Sequence, residues 1–137
     1  MSDSLAVLEA FYAAETEYVA GRADFSGMAA HLDPGVVMYQ AECLLYGGEW
    51  SGHEGFERFM GEMSRAWSSL EMLEQRFAVD GNAVAVYNRV VFRARESGRE
   101  LETSVMQWIG FKDGLITEVR PFYLDTRAVL EVLRARS

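Results

Sequence analysis

The 137-residue chain is poor in cysteine, proline, histidine and lysine: it holds one, two, two and one of them. Cys43, being alone, cannot close an internal disulfide, which suits a reducing compartment and leads us to expect a cytoplasmic protein. No metal-ligand spacing surrounds His31 or His53, so no metal site is expected. A Ser-His-Asp set, a Gly-rich phosphate loop and a CxxC motif are all missing, which argues against hydride and phosphoryl transfer and against an organic cofactor. Basic side chains are also scarce, 13 against 21 acids, for a formal net charge of −8. Such a chain is ill suited to phosphate backbones or anionic lipid, so neither nucleic acid nor membrane is an expected partner. No apolar run approaches the roughly 20 residues of a membrane helix. Met1-Ser2-Asp3-Ser4 has no cationic region leading into an apolar run, so no signal peptide is expected.

What is abundant is burial material. Half of the residues are apolar and 12% are aromatic, enough for a core and too much for a disordered segment, and the length suits one domain over 1–137. The charge is uneven: residues 1–74 hold 13 acids and 3 bases, and residues 75–137 hold 8 acids and 10 bases. We read this as acidic helices followed by a more basic sheet.

Leu5, Leu8, Phe11, Tyr12 and Val19 recur at helical spacing, with Ser2 or Ser4 as cap and Gly21 as stop. Asp24 caps a short second helix, Phe25 to Leu32, which Asp33-Pro34 ends. Gly35 to Ala41 reads as a strand, and Leu44 to Trp50 as a turn or irregular strand around Gly47-Gly48. Ser51 and Glu54 fit a capping box opening a third helix, whose Phe56, Phe59, Met60, Met63 and Trp67 form an apolar stripe. Strand-like runs follow at 70–79, 83–95, 101–112 and 115–124, divided by Asp80-Gly81-Asn82, Ser97-Gly98 and Asp113-Gly114. A last helix, Thr126 to Arg134, is capped by Asp125 or Thr126. Helices segregated onto one face of an antiparallel meander make the fold class α+β.

Leu32-Asp33-Pro34, Tyr46 through Phe56, Phe111 through Ile116, and Val119 through Thr126 give this order a closer resemblance. The chain resembles the SnoaL-like branch of the nuclear-transport-factor-2-like (NTF2-like) superfamily. That resemblance implies a cone-shaped fold, its curved antiparallel sheet packed with N-terminal helices around a central pocket. It also implies a homodimer through the convex face and a small hydrophobic substrate. The superfamily includes ketosteroid isomerases, polyketide cyclases, dehydratases, epoxide hydrolases and non-catalytic binding modules, so fold leaves function open. The expected function is a cofactor-independent acid–base enzyme acting on a polyketide-like metabolite; the alternative is a non-catalytic binding module.

Aligned on an isomerase-like pattern, the period-two rule turns Asn88, Val90 and Phe92 inward, with Thr103, Val105, Gln107, Val119, Pro121 and Tyr123. Tyr87, Arg89, Arg93, Glu102, Met106, Trp108, Glu118, Arg120 and Phe122 then face out. The position of the oxyanion-donating acid falls on Gln107, whose amide donates but does not titrate. The general-base position falls on Tyr39 counted forward from Asp33-Pro34, and near Cys43, beside Glu42, counted back from Gly52-His53-Glu54. Glu42, the only carboxylate in that stretch, is the candidate base. Tyr39 and Tyr123 are candidate phenolic donors. Tyr18, Trp50, Asn88, Val90, Phe92, Thr103, Val105 and Val119 are expected around the substrate.

Overall fold

The computed structural model describes residues 2–134, with side chains from residue 4 onward. In chain order it runs α1 (Ser2–Val19), α2 (Ser26–Ala29), β1 (Leu32–Gln40), β2 (Gly48–Ser51), α3 (Gly52–Ala66), β3 (Trp67–Asp80), β4 (Ala83–Ala94), β5 (Glu100–Lys112), β6 (Leu115–Tyr123) and α4 (Thr126–Arg134). The cap expected at Ser2 lies outside the described side chains. None of the described helices is long and apolar enough to cross a membrane.

The six strands form one sheet in the order β2-β1-β6-β5-β4-β3. Strands β3 to β6 make the expected meander. The turn at Asp113-Gly114 carries positive φ at both residues (53° and 78°), the twist that matches a two-residue hairpin to its strands. One pairing departs from expectation: β1 joins β6 in parallel, with Val37 opposite Glu118 and Met38 opposite Val119, so the sheet is mixed rather than wholly antiparallel. This contact joins residues some eighty positions apart, and no hairpin turn announces it in the sequence.

Local chemistry explains the shifted boundaries. Asp33 Oδ2 accepts the Gly35 N–H at 2.8 Å, folding Asp33-Pro34-Gly35 into an Asx turn inside β1. The ladder therefore jumps from Leu32 to Val37, and the strand begins three residues before the expected start. Ser51 stands at the N-cap of α3 in extended conformation but makes no side-chain cap bond, so the expected capping box is not formed. Asp125 does cap α4, accepting the Ala128 N–H at 3.0 Å. Trp67 belongs to β3, not to α3, and its buried ring packs 4.8 Å from Phe92.

The inner face of the sheet alternates as the period-two rule requires. Asn88, Val90, Phe92, Thr103, Val105, Val119 and Pro121 are buried, whereas Met106, Trp108 and Phe122 stand exposed on the other face. Leu8, Phe11 and Tyr12 of α1 and Phe56, Phe59, Met60 and Met63 of α3 cover that inner face and complete the core.

Candidate active site

Between α1, α3 and the inner sheet face lies a cavity of about 40 Å³, room for a few waters. Its walls are mostly apolar: Met38, Phe59, Met63, Leu70, Val90 and Phe92. Five polar side chains interrupt them, namely Glu15, Gln40, Asn88, Gln107 and Tyr123.

Glu15 projects from α1. It follows Leu8 by seven residues and Phe11 by four, and so lies on the stripe that α1 turns toward the core. Burial pushes its carboxyl up to about 7, because ionising it away from water is costly. Among the described residues no hydrogen bond reaches this carboxyl to offset that cost.

Two hydrogen-bonded groups flank it. In the first, the buried Tyr12 hydroxyl donates to Gln107 Oε1. With its oxygen taken, Gln107 keeps an N–H to offer the cavity. Asn88 beside them is committed to structure, accepting from Gln75 Nε2 at 2.7 Å and donating to the Val105 carbonyl at 3.3 Å. In the second group, Trp67 Nε1–H donates to the Tyr46 hydroxyl at 3.2 Å. Tyr46 meets Tyr123, whose hydroxyl donates to Gln40 Oε1 at 3.0 Å. Burial pushes the Tyr12, Tyr46 and Tyr123 phenols up, and the Glu15 charge adds to this at Tyr12 and Tyr123. They stay protonated at neutral pH and serve as donors, not bases.

The structure brings together some of the expected set. Gln107, Tyr123, Asn88, Val90, Phe92 and Val105 line the cavity. Thr103 and Val119 are buried on the same face but do not reach it. Tyr18 packs edge-on against Phe25, and Trp50 donates to the Tyr46 carbonyl at 3.1 Å; both stand apart from the cavity. Tyr39 is a correction. The residues turned inward along β1 are Met38 and Gln40, so Tyr39 faces out and lies under the Arg120 guanidinium, 3.8 Å from ring centroid to carbon. Glu42 is the second: it is exposed on the loop after β1 and borders an outer groove, not the cavity. That loop folds back on itself at Gly47, where a Cβ would come within 2.4 Å of the Ala41 carbonyl oxygen.

Glu15, Tyr12, Tyr46 and Gln40 were missed. The signal for Glu15 was available, since an acid at the core-facing spacing of an apolar helix is expensive unless used. For Gln40 it was the alternation Val36, Met38, Gln40 along β1. Among the described residues, no three His, Cys, Asp or Glu side chains are grouped to hold a metal ion.

A family model described as the SnoaL-like domain matches residues 8–119. The chain belongs to the SnoaL-like domain family. Solved structures share its NTF2-like fold at low identity. TerC, co-crystallised with polyporic acid, superposes with a TM-score of 0.84 at 20% identity, covering 97% of this chain and 99% of its own. An NTF2-like protein from Burkholderia xenovorans LB400 gives 0.82 at 17% identity, with 98% of each chain covered. A polyketide-cyclase-like protein from Jannaschia sp. CCS1 gives 0.78 at 17%, covering 99% of this SnoaL-like chain and 94% of its own. No curated protein sequence matches the chain.

Proposed function

We propose that this SnoaL-like chain is a small acid–base enzyme of isomerase or cyclase type. It moves a proton on a hydrophobic, oxygenated, polyketide-like metabolite without metal or organic cofactor, and Glu15 takes and returns that proton. The observation carrying this reading is the Glu15 carboxyl, turned into an apolar cavity, held by no hydrogen bond among the described residues, and pushed up to about 7. A carboxyl titrating near neutrality serves as base in one step and as acid in the next.

The step this suits is enolisation. The Glu15 carboxylate removes a proton from the carbon beside a carbonyl, and the electron pair of that C–H bond becomes the C=C bond. The carbonyl pair moves onto oxygen, where the free N–H of Gln107 donates to the growing charge. The Tyr12 hydroxyl fixes the orientation of that amide. The enolate carbon then attacks a second carbonyl of the same molecule, whose oxygen takes the proton from Glu15, or the proton returns at another carbon. The polyketide-cyclase likeness of the Jannaschia neighbour supports the substrate class. Tyr123 contributes as a polar wall, whereas Glu42, exposed on its loop, and Tyr39, on the outer face, stand off the cavity and take no part in the step.

The test is deuterium uptake from D₂O at the activated carbon of a panel of aromatic 1,3-diketones, followed by proton NMR. Wild-type protein should accelerate exchange and Glu15→Gln should not. The small cavity favours a second reading, a non-catalytic binding module, which saturable binding without exchange would establish. On the same proposal two copies pair through the outer sheet face, where Phe122 is 63% exposed beside Met106 and Trp108. Sedimentation at micromolar concentration should give a dimer, and a 15.4 kDa monomer would overturn that pairing.

A further inference from the structure

At about 40 Å³ the cavity around Glu15 is too small for a polyketide-like molecule, so a substrate must push some wall of it aside. Those walls differ in how they are held. Strands β4 and β5 pair without a break from Ala83 opposite Gly110 to Arg93 opposite Glu100. Under α1 the wall is tied by the Tyr12–Gln107 and Gln75–Asn88 hydrogen bonds.

Between β1 and β6 the pairing stops at Met38 opposite Val119. Past that point Gln40 is held from its other side by Gly48, and Pro121 from its other side by Gln107. Pro121 has no N–H with which to extend a ladder. Outside this gap lies a groove of about 430 Å³ lined by Tyr39, Ala41, Glu42, Arg120, Phe122 and Thr126. The groove shares two of its lining residues, Gln40 and Tyr123, with the cavity inside. These two side chains, common to both linings, are joined by one hydrogen bond of 3.0 Å, donated by the Tyr123 hydroxyl to Gln40 Oε1.

We propose that the gap between β1 and β6 is the entry path to the cavity, with the Tyr123–Gln40 hydrogen bond as its gate, and that it admits flat, uncharged molecules. The inference rests on reading the Glu15 cavity as the reaction site and adds the route to it. Separating two side chains costs one hydrogen bond, whereas separating β4 from β5 breaks a ladder. A charged group on this route would leave water for Met38, Phe92 and Tyr123, which give it no ionic partner. A planar apolar group is accommodated by the Pro121 and Tyr123 rings.

The test uses dicyclohexylcarbodiimide, a neutral apolar reagent that modifies protonated carboxyls, with full-length protein at pH 6. The rate at which Glu15 is labelled, read by peptide mass mapping, reports access to the cavity and requires no turnover. Gln40→Ala and Tyr123→Phe should each raise that rate roughly three- to tenfold, the factor expected from removing one ordinary hydrogen bond. Tyr123→Phe keeps the ring, so it carries the comparison if Gln40→Ala folds poorly. Met72→Ala thins the wall shared with the groove between α1 and β3 and should leave the rate near wild type. Faster labelling in Met72→Ala alone, equal rates in all proteins, or no labelling of Glu15 in any of them would overturn the path. Gated labelling in a protein that fails the deuterium-exchange assay would instead reject the chemistry and keep the route.

Discussion

The two faces of the sheet treat charge in opposite ways. On the outer face arginines pair with glutamates: across strands Arg89 meets Glu102 at 2.8 Å and Glu74 at 3.4 Å and Arg93 meets Glu100 at 3.3 Å, and along β6 Arg120 meets Glu118 at 2.8 Å. All are substantially exposed, so water already solvates each partner and the pairs add little. On the inner side the Glu15 carboxyl faces mostly apolar walls, and among the described residues neither a cation nor a hydrogen-bond donor holds it. The many outer charges carry little energy, and the single inner one carries much. A count of charges would point to the wrong face.

Four substitutions probe that contrast. The largest effect belongs to Glu15→Gln, which should lower the exchange rate on a diketone by about 10²–10⁴-fold, the usual loss with a general base. A loss below tenfold would mean that another group moves the proton.

The same residue should leave its mark on stability. Its carboxyl titrates near the ordinary value of 4.5 when unfolded and at about 7 when folded, so the folded state holds the proton more tightly. The stability it contributes is therefore full below pH 4.5 and is lost as pH rises through 7, by about 3 kcal/mol in all. Denaturant unfolding between pH 4.5 and 8 should show this fall in the wild type and lack it in Glu15→Gln. Parallel profiles would break the comparison.

Next comes Gln107→Leu, which leaves the buried Tyr12 hydroxyl without its acceptor. It should cost about 1–3 kcal/mol in urea titrations and weaken both turnover and substrate binding. Last, Glu102→Gln on the outer face and Glu42→Gln on its loop should leave both melting temperature and exchange rate near wild type. A large effect from either would mean that the outer charges matter more than their exposure implies.

The inner and outer faces also differed in how readily they could be read. The meander was legible because Gly81, Gly98 and Asp113-Gly114 mark its turns and the strands alternate with period two, which also assigned Asn88, Phe92, Val105 and Gln107 to the inner side. These are local signals. The parallel β1–β6 contact is not local, and neither is the depth at which β1 sits, so the general-base position was sought along that strand and its loop. Counting forward from Asp33-Pro34 leads to Tyr39 and counting back from Gly52-His53-Glu54 leads to Glu42, the only carboxylate there, and neither count uses the alternation that turns Gln40 inward. Glu15 went unnoticed because an acid on a helix is ordinarily solvated. Only its spacing from Leu8 and Phe11 marks it, and only the closing of α1 over the sheet turns this half-buried acid into the cavity.

The central claim is that Glu15 is a carboxyl held near neutrality by burial, and one titration tests it most directly. Carbon-13 NMR of protein labelled at the glutamate side-chain carboxyls, with Glu15→Gln assigning the signal, reads its pKa in the folded state. The account predicts a midpoint at about 7. A midpoint near 4.5, the ordinary carboxyl value, would contradict it.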